Sequence, residues 1–319
     1  MPVFQSLIEV IQQCDTFPYP NDTSRSSLYH QIVPFRLGPS TLGHLLPEVV
    51  SSLKEYNQQQ TPSPFVISDQ AVEFAEWVQD AADRTAVMEK LMTTWRTNQV
   101  WPALAGWRNE LYPVYGDPAE PENIAFVMER AATPLFGIST FGVHLNAFTR
   151  DKKDGSILMW VAKRSLTKQT WPGLLDNCVA GGISYGYSVR DTIIKECEEE
   201  ASIPHALACH AKSVNVVTYY SVTSNGLQPE TQYIFDLELP DDFSPTPSDG
   251  EVDCFYQWPL SKVKETILND EWKPNCALVA IDFMIRHAYI TPDEEPDYID
   301  LGYRLHRTLE FPTPKRSLK

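Results

Sequence analysis

Hydrophobic residues in the first 130 positions recur mostly at intervals of three and four, the spacing of one helical face. This spacing predicts a first helix with Leu7, Ile8 and Ile11 on one side, a helix near Val49 after a turn, and a long helix over residues 70–98. The first part of the chain is therefore expected to be rich in helix.

Two segments interrupt that helical spacing. The stretch "PFVISD" is short, apolar and β-branched, which predicts a strand. Residues 112–124 contain several prolines and acidic residues, which are typical of a loop. Together with the helices, these segments indicate a small α+β domain over residues 1–135.

After about residue 136 the pattern changes to alternating or continuous apolar runs, which are typical of strands. The polar stretch 151–155 ("DKKDG") between two such runs predicts a hairpin. A helix with a broad apolar face, "CALVAIDFMIRHAYI", closes the series. We assign residues 136–290 to a second, α/β domain and residues 291–319 to a tail that either pairs as a strand or lies loosely.

Composition and charge exclude several classes of partner. The chain has 319 residues, 26 of them basic and 42 acidic, so its formal net charge is −16. Nucleic-acid affinity rests on Lys and Arg neutralising phosphates, so we expect no nucleic-acid partner. No apolar run reaches the ~18–20 residues that cross a bilayer, so we expect no membrane partner.

The cysteines and the start of the chain indicate the compartment. The six cysteines form no C-x-x-C pair and no zinc pattern, which predicts buried, reduced thiols. The first residues show neither a signal peptide nor an Arg- and Ser-rich presequence. We therefore expect a cytoplasmic protein, with the nucleus as the alternative.

Candidate chemistry centres on "GGISYGYSVRDTIIKECEEEASIP". Ser188 and Asp191 have the spacing of a helix cap, and the helix that follows places apolar side chains on one face. Its other face gathers Glu196, Glu199 and Glu200 at spacings of three and four. Such close carboxylates repel one another unless a cation compensates, and Mg²⁺ prefers oxygen ligands. The alternative is a solvated acidic face.

This stretch resembles the Nudix box, which reads Gly, five residues, Glu, seven residues, Arg-Glu, an aliphatic residue, any residue, Glu-Glu, any residue, Gly and an aliphatic residue. The match begins at Gly181 and continues through "KECEEEASI", with Lys195 in place of the arginine. Two positions depart from the motif: Tyr187 replaces its first glutamate and Ser202 its late glycine. The resemblance implies that Glu196, Glu199 and Glu200 are metal ligands.

Flanking segments extend the resemblance to about residues 30–290. "PFRLGPSTLGHLLPEVV" and "WVAKRSLTKQTWPGLLDNCVAGG" are similar to the thiamine pyrophosphokinase-related Nudix proteins, in which an N-terminal domain precedes the Nudix domain. The resemblance implies an α/β/α sandwich around a mixed sheet, Mg²⁺ with Mn²⁺ as the alternative, and a small-molecule diphosphate substrate. It also allows for a homodimer and for an N-terminal domain that caps the substrate.

Further charged residues are candidates for the same site. Glu200 would orient the attacking water as well as bind metal, and Glu251 is either a base or an exposed loop acid. Lys163 and Arg164 end a predicted strand and either face the diphosphate or form a surface pair. Lys168 is a further candidate.

Other candidates concern the shape of the site. Gly181 and Gly182 would let the backbone approach the ligand closely. Trp171 and Tyr185 either stack on a flat heterocycle or belong to a core. We interpret Asp176 and Asn177 as fixing the loop before the box, and His144 as a buried histidine.

Three functions remain open at this stage. The first is Mg²⁺-dependent hydrolysis of thiamine diphosphate and its oxidised analogues, oxo- and oxythiamine diphosphate, to monophosphate and phosphate. The second is hydrolysis of another nucleoside diphosphate derivative by the same domain. The third is a catalytically silent ligand-binding module, which the two departures in the box would allow.

Overall fold

The computed structural model describes residues 2–20 and 26–315. Its first part contains these helices and strands: α1 (Leu7–Cys14), α2 (Ser26–Tyr29), β1 (Val33–Leu37), β2 (Ser40–Leu45), α3 (Pro47–Gln58), β3 (Phe65–Ile67), β4 (Val72–Phe74), α4 (Ala81–Thr97), β5 (Leu111–Tyr115), β6 (Ile124–Glu129) and α5 (Thr133–Phe136). Short 3₁₀ turns occupy Pro102–Gly106, Pro121–Asn123 and Arg130–Ala132.

The second part contains β7 (Thr140–Arg150), β8 (Ile157–Arg164), β9 (Leu175–Asp176), β10 (Val179–Gly182), α6 (Val189–Ala201), α7 (His205–Ala208), β11 (Lys212–Thr223), β12 (Gly226–Glu238), β13 (Val252–Pro259), α8 (Leu260–Leu268), α9 (Pro274–Arg286) and α10 (Tyr298–Leu305). The predicted hairpin turn at residues 151–155 joins β7 to β8 and is confirmed.

The N-terminal unit, residues 33–138, is built on a four-stranded sheet of order β2-β1-β4-β3 and a separate β5–β6 hairpin. Strands β1 and β4 are parallel and the other neighbours are antiparallel. Helices α3 and α4 cover a core of aromatic and aliphatic residues that includes Phe35, Leu53, Leu91, Phe126 and Phe136. The unit is therefore a small α+β domain, as the sequence predicts.

The long helix predicted over residues 70–98 is wrong in its first third. Val72–Phe74 form strand β4, and the helix begins only at Ala81. Strand β4 pairs with β1 and with β3, and Asp80 caps the helix by accepting a hydrogen bond from the Asp83 N–H. Pairing with a segment some 35 residues earlier in the chain has outweighed the local helical spacing.

Two other segments also form strands where a turn or a loop was predicted. Residues 40–45, expected to turn, form strand β2 beside β1. Residues 111–115, predicted to begin a loop, form β5, in which Pro113 lies opposite Val127 of β6. Proline is tolerated there because β5 is an edge strand of a two-stranded sheet.

The second unit is built on a mixed seven-stranded sheet with the path β11-β12-β7-β8-β13. Strand β7 runs parallel to β12 and antiparallel to its other partners. The edge of β7 that does not pair with β12 has two partners: β8 pairs with residues 148–150 and β10 pairs with residues 142–145. The sheet therefore opens between β8 and β10, directly before helix α6.

Alternate residues of β7 face two different layers, since neighbouring side chains on a strand point to opposite faces. Val143, Leu145 and Ala147 pack with helix α6 in one cluster. Phe148 belongs to the cluster on the opposite face, which α1, α8 and α9 complete. The arrangement is the α/β/α sandwich around a mixed sheet that was expected.

Both ends of the chain pack on this second unit. Leu7 and Ile11 of helix α1, which we had assigned to the N-terminal domain, are buried in the cluster with α9. Within the predicted tail, Tyr298–Leu305 form helix α10, and His306 forms an isolated parallel bridge with Thr218 of β11. Arg307, just beyond α10, forms a buried ion pair with Asp15 at 2.8 Å.

No helix in residues 2–20 and 26–315 combines the length and the apolar character needed to span a membrane.

Candidate functional site

Helix α6 begins as its sequence predicts. The Ser188 hydroxyl accepts a hydrogen bond from the Asp191 N–H at 3.1 Å and donates one to the Asp191 carboxylate at 2.6 Å. Ile193, Cys197 and Ala201 are fully buried against the sheet. These contacts fix the rotation of the helix, and its glutamates therefore point along the opening of the sheet.

The end of α6 accommodates one departure from the box. Ser202 follows the last helical residue with φ of 53°, in the left-handed region where glycine is normally preferred. Its hydroxyl donates to the Thr246 carbonyl at 2.9 Å, which ties the loop after β12 to the helix. The other departure, Tyr187, is half exposed in the turn before α6.

The three expected metal ligands differ in their burial. Glu200 is only 7% exposed, and its Oε2 accepts a hydrogen bond from the Ala180 N–H at 2.9 Å. Glu196 is half-buried, whereas the side chain of Glu199 is 48% exposed. The Lys195 ammonium bridges the two, at 3.2 Å from Glu196 and 2.5 Å from Glu199.

Strand β10 brings its backbone against these side chains. A Cβ added to Gly181 would lie 2.4 Å from the Glu196 carboxyl carbon, so only glycine leaves Glu196 its present position. A Cβ on Gly182 would lie 1.7 Å from the Tyr112 hydroxyl of the N-terminal unit. Both positions therefore require glycine. The Glu196 side chain lies too close to Gly181 for any Cβ, and Tyr112 of the N-terminal unit lies too close to Gly182.

The electrostatics of these carboxylates fit a divalent cation. Burial raises the pKa of Glu200 well above its ordinary value, and the negative charge of Asp176 adds to this effect. Burial also raises the pKa of Glu196, against the influence of Lys195. Among the described residues the three carboxylates are not close enough together to ligate one ion in this conformation, and the Lys195 ammonium bridges two of them. Their oxygen donors are the type that Mg²⁺ and Mn²⁺ prefer, and a cation that replaced Lys195 would compensate the same negative charge.

Glu251 lies on the loop that enters β13, beside the same glutamates. Its carboxylate pairs with Lys168, and its carbonyl accepts a hydrogen bond from the Ser165 N–H at 2.8 Å. Burial opposes ionisation, but the Lys168 ammonium holds the pKa of Glu251 below its ordinary value. The charge of Glu251 bears on Glu196 and Glu200, so these three and Glu199 form one carboxylate cluster.

Arg164 and Lys163 take different positions at the end of β8. The Arg164 guanidinium is buried and donates to the Asp176 carboxylate at 2.7 Å and to the carbonyls of Thr170 and Trp171. It therefore holds the loop before the box instead of presenting free donors to a diphosphate. The half-buried Lys163 makes no ion pair among the residues described.

The two candidate aromatic residues lie on separate loops, Trp171 between β8 and β9 and Tyr185 between β10 and α6. Trp171 is 48% exposed and Tyr185 is 52% exposed, so neither belongs to a core. The Tyr185 N–H donates to the Leu111 carbonyl of the N-terminal unit at 2.8 Å, which anchors the turn that carries it.

A buried polar network lies behind the carboxylate cluster, formed by His144, Arg164, Asp176, Asn177 and Cys276. The Cys276 thiol donates to Asp176 at 2.7 Å, and His144 Nδ1 lies 2.7 Å from the Asn177 amide oxygen. His144, Asp176 and Cys276 are close enough together to ligate an ion. The Cys276–Asp176 and His144–Asn177 hydrogen bonds, and the positive charge of Lys273 beside these residues, fit a structural network instead.

Three residues of the N-terminal unit meet the box and were absent from the candidates: Glu110, Tyr112 and Arg130. They flank or belong to β5 and β6, in a segment that we expected to contain a loop. Their positions relative to the box depend on how the two units pack. Lys273, at the start of α9, was also missed, because its proximity to Asp176 depends on the contact of α9 with β9.

Comparison with known proteins agrees with this architecture. Residues 6–140 match the model "Domain of unknown function (DUF4743)", and residues 140–275 match the NUDIX domain. A solved structure from Deinococcus radiodurans, DR0079, aligns with 54% of this chain and 98% of its own, with 16% identity and a TM-score of 0.40. A likeness of this size says nothing about activity.

Three relatives that match most of this chain are more similar to it in sequence than that solved structure is. Uncharacterized protein YJR142W of Saccharomyces cerevisiae is 35% identical over 85% of this chain and 82% of its own. Two Arabidopsis thaliana proteins, Nudix hydrolase 20 and Nudix hydrolase 24, both chloroplastic, are 37% and 36% identical over 86% of this chain and 73% of theirs. At 36–37% identity to these two Nudix hydrolases over 86% of its length, and with a matching NUDIX domain, the chain belongs to the Nudix hydrolase family.

Proposed function

We propose that this Nudix hydrolase cleaves the diphosphate of thiamine diphosphate and of its oxidised analogues, oxo- and oxythiamine diphosphate, to monophosphate and phosphate with Mg²⁺. The observation that carries the hydrolysis is the carboxylate cluster: Glu196 and Glu200 contact the glycine strand, and Lys195 joins Glu199 to Glu196. Family membership makes the chain a diphosphate hydrolase, and the organic part of the substrate is the proposal.

Two features support a flat heterocyclic substrate. Trp171 and Tyr185 expose their rings on the loops before β9 and α6, and a planar ring could stack on them. The segments on either side of the box also resemble the thiamine-related Nudix proteins. The same aromatic rings would suit the base of a nucleoside diphosphate derivative, which is therefore the second candidate.

The residues divide the work of hydrolysis between them. Glu196, Glu199 and Glu200 would hold the Mg²⁺, which when bound would neutralise phosphate charge and lower the pKa of water. Glu200 is kept in place by the Ala180 N–H and orients the attacking water. Glu251 accepts a proton as the water oxygen bonds to the terminal phosphorus and the bond to the bridging oxygen breaks. Lys163 offers a further cation to the diphosphate.

Substitution of Glu199 by Gln tests the hydrolysis. Loss of one charged ligand should lower the rate of phosphate release with Mg²⁺ roughly 100-fold, in the range found when one charge-stabilising group is removed. Glu198→Gln is the matched control, because Glu198 is an exposed glutamate one position earlier on the same helix. Equal activity of Glu199→Gln and the control would refute the proposed role of the cluster.

A panel of diphosphates tests the substrate. Thiamine diphosphate, its two oxidised analogues, a nucleoside diphosphate sugar and a dinucleotide should be compared by their kcat/KM for product release. The proposal requires the thiamine group to give the highest values. A preference for the nucleotide compounds would favour the second candidate.

A further inference from the structure

Arg130 reaches from the N-terminal unit to the Nudix box. It begins a 3₁₀ turn directly after β6, and its guanidinium lies over the Tyr112 ring, 5.2 Å from the centroid. A Cβ on Gly182 would lie 3.6 Å from the Arg130 ζ carbon. The neighbouring Gly181 approaches the Glu196 carboxyl group in the same way, so adjacent residues of β10 contact Arg130 and a box glutamate.

Contacts from both units fix this position. The Glu110 carboxylate accepts a hydrogen bond from Arg130 Nη1 at 2.9 Å and one from the Ser184 hydroxyl of the box loop at 2.5 Å. The neighbouring Leu111 carbonyl accepts the Tyr185 N–H. Arg130 is therefore held at a defined place relative to the box loop, and is not a mobile surface side chain.

Arg130 differs from the buried arginines in how much of it is accessible. The side chain of Arg130 is 39% exposed, compared with 2% for Arg84 and 9% for Arg164. Arg84 and Arg164 each donate to two carbonyls and a carboxylate. The described hydrogen bonds of Arg130 use only Nη1, so none of them uses the donors on Nε and Nη2.

A diphosphate entering this opening meets mostly negative charge. The nearby Lys195 and Lys168 are paired with glutamates of the carboxylate cluster, and Arg164 is paired with Asp176. Lys163 forms no ion pair among the described residues, and Arg130 forms one, with Glu110. A guanidinium with free donors matches phosphate oxygens in a bidentate manner. Arg130 is positioned to offset the repulsion between the cluster and the substrate.

We propose that Arg130 is a substrate-binding residue, supplied by the N-terminal unit, which donates from Nε and Nη2 to the diphosphate held at the box. This inference rests on the proposed diphosphate hydrolysis, but not on the organic group of the substrate. It gives the N-terminal unit a definite part in the site, because the Nudix domain then lacks this phosphate contact when alone.

Binding of methylenediphosphonate, a diphosphate analogue that cannot be hydrolysed, tests the proposal directly. Its dissociation constant with Mg²⁺ should be measured by calorimetry for the full chain and for Arg130→Gln, Arg130→Lys and Arg36→Gln. Arg130→Gln should weaken binding about 10- to 100-fold, as expected for the loss of a charged hydrogen bond. The dissociation constant of Arg130→Lys should lie between those of the unaltered chain and of Arg130→Gln, because lysine keeps the positive charge but lacks the paired donors of a guanidinium.

Arg36→Gln is the matched control. Arg36 is an exposed arginine of the N-terminal unit, on strand β1 of its four-stranded sheet. Arg36→Gln therefore makes the same change in net charge as Arg130→Gln, but away from the box. Its dissociation constant should equal that of the unaltered chain. Equal binding by Arg130→Gln and Arg36→Gln would overturn the proposal.

Glu110→Gln separates substrate binding from a purely structural role. If Arg130 served only to hold the units together through Glu110, both substitutions would weaken binding equally. We expect Glu110→Gln to bind methylenediphosphonate within about threefold of the unaltered chain, since the freed guanidinium keeps its charge. A loss as large as that of Arg130→Gln would count against the proposal. If Arg130→Gln does not fold, Arg130→Lys and Glu110→Gln decide the question.

The two proposals can fail separately. If the chain binds methylenediphosphonate through Arg130 but does not cleave thiamine diphosphates, the substrate is wrong and the Arg130 contact stands. If thiamine diphosphates are cleaved and Arg130→Gln leaves binding and KM unchanged, the function stands and the Arg130 contact is wrong.

Discussion

The carboxylate cluster and the buried polar network lie next to each other and both contain carboxylates, but these carboxylates have different hydrogen-bond partners. Asp176 in the network has a guanidinium and a thiol as donors and is nearly inaccessible to solvent. Glu199 in the cluster is half exposed, with Lys195 as its ion-pair partner. Buried groups with complete hydrogen bonding stabilise one arrangement, whereas accessible charges of one sign remain available to a ligand. Glu200 is about as buried as Asp176 but accepts only the Ala180 N–H among the described hydrogen bonds, so donor partners, more than residue type or burial, separate the scaffold from the site.

The largest effect that would sharpen this contrast is expected from Arg164→Gln. The substitution leaves the buried Asp176 carboxylate without its ion-pair partner, close to the negative cluster, and should lower the free energy of unfolding by about 3–5 kcal/mol. Urea denaturation at pH 7 measures this change. Arg150→Gln is the matched control, because its pair with Glu238 is half exposed and should contribute less than about 1 kcal/mol. Similar losses in both variants would break the contrast.

A smaller effect concerns pH and again distinguishes the network. Burial, with a contribution from the charge of Lys273, lowers the pKa of His144 to about 4 from the ordinary 6.5. The unfolded chain therefore takes up a proton that the folded chain refuses as the pH falls from 6.5 to 4. Stability should decrease across that range by at most about 3 kcal/mol from this residue, and His144 should have no such effect above pH 7.

The measurement is the free energy of unfolding by urea at several pH values between 7 and 5. Burial also lowers the pKa of His44 to about 4, in the same direction, so the contribution of His144 is the difference between the unaltered chain and His144→Asn. The variant should lose less stability as the pH falls. An identical pH dependence would show that His144 is protonated as readily in the folded chain as in the unfolded one.

The smallest effect is expected on the side of the cluster. Lys168→Gln removes the partner of Glu251, but the Glu251 side chain is about half exposed and water replaces the lost contact. The free energy of unfolding should change by less than about 1 kcal/mol in the same urea experiment. A loss approaching that of Arg164→Gln would mean that the cluster belongs to the scaffold.

The sequence predicted correctly those features that depend on neighbours in the chain. The cap by Ser188 and the buried face of α6 follow from spacings of three and four, whereas the role of Glu196, Glu199 and Glu200 as metal ligands stays a prediction. The β7–β8 hairpin follows from a polar turn between two apolar runs. The prediction failed at β4, because pairing with the distant β1 decided its conformation.

Side-chain partners distant in the chain were beyond any local pattern. The "KR" pair at the end of β8 gives no sign that Arg164 pairs inward with Asp176 while Lys163 stays half-buried. In the same way, no residue near Arg130 in the sequence indicates that Arg130 lies close to Gly182, because this contact depends on how the cores of the two units pack together.

The sequence by itself determined the family, the sandwich fold and the helix that carries three glutamates, since each is encoded in residues a few positions apart. Only the tertiary structure decided which charges are buried and paired and which face the opening. Burial and long-range hydrogen bonds set the energy of a charge, and both arise only when distant segments pack together.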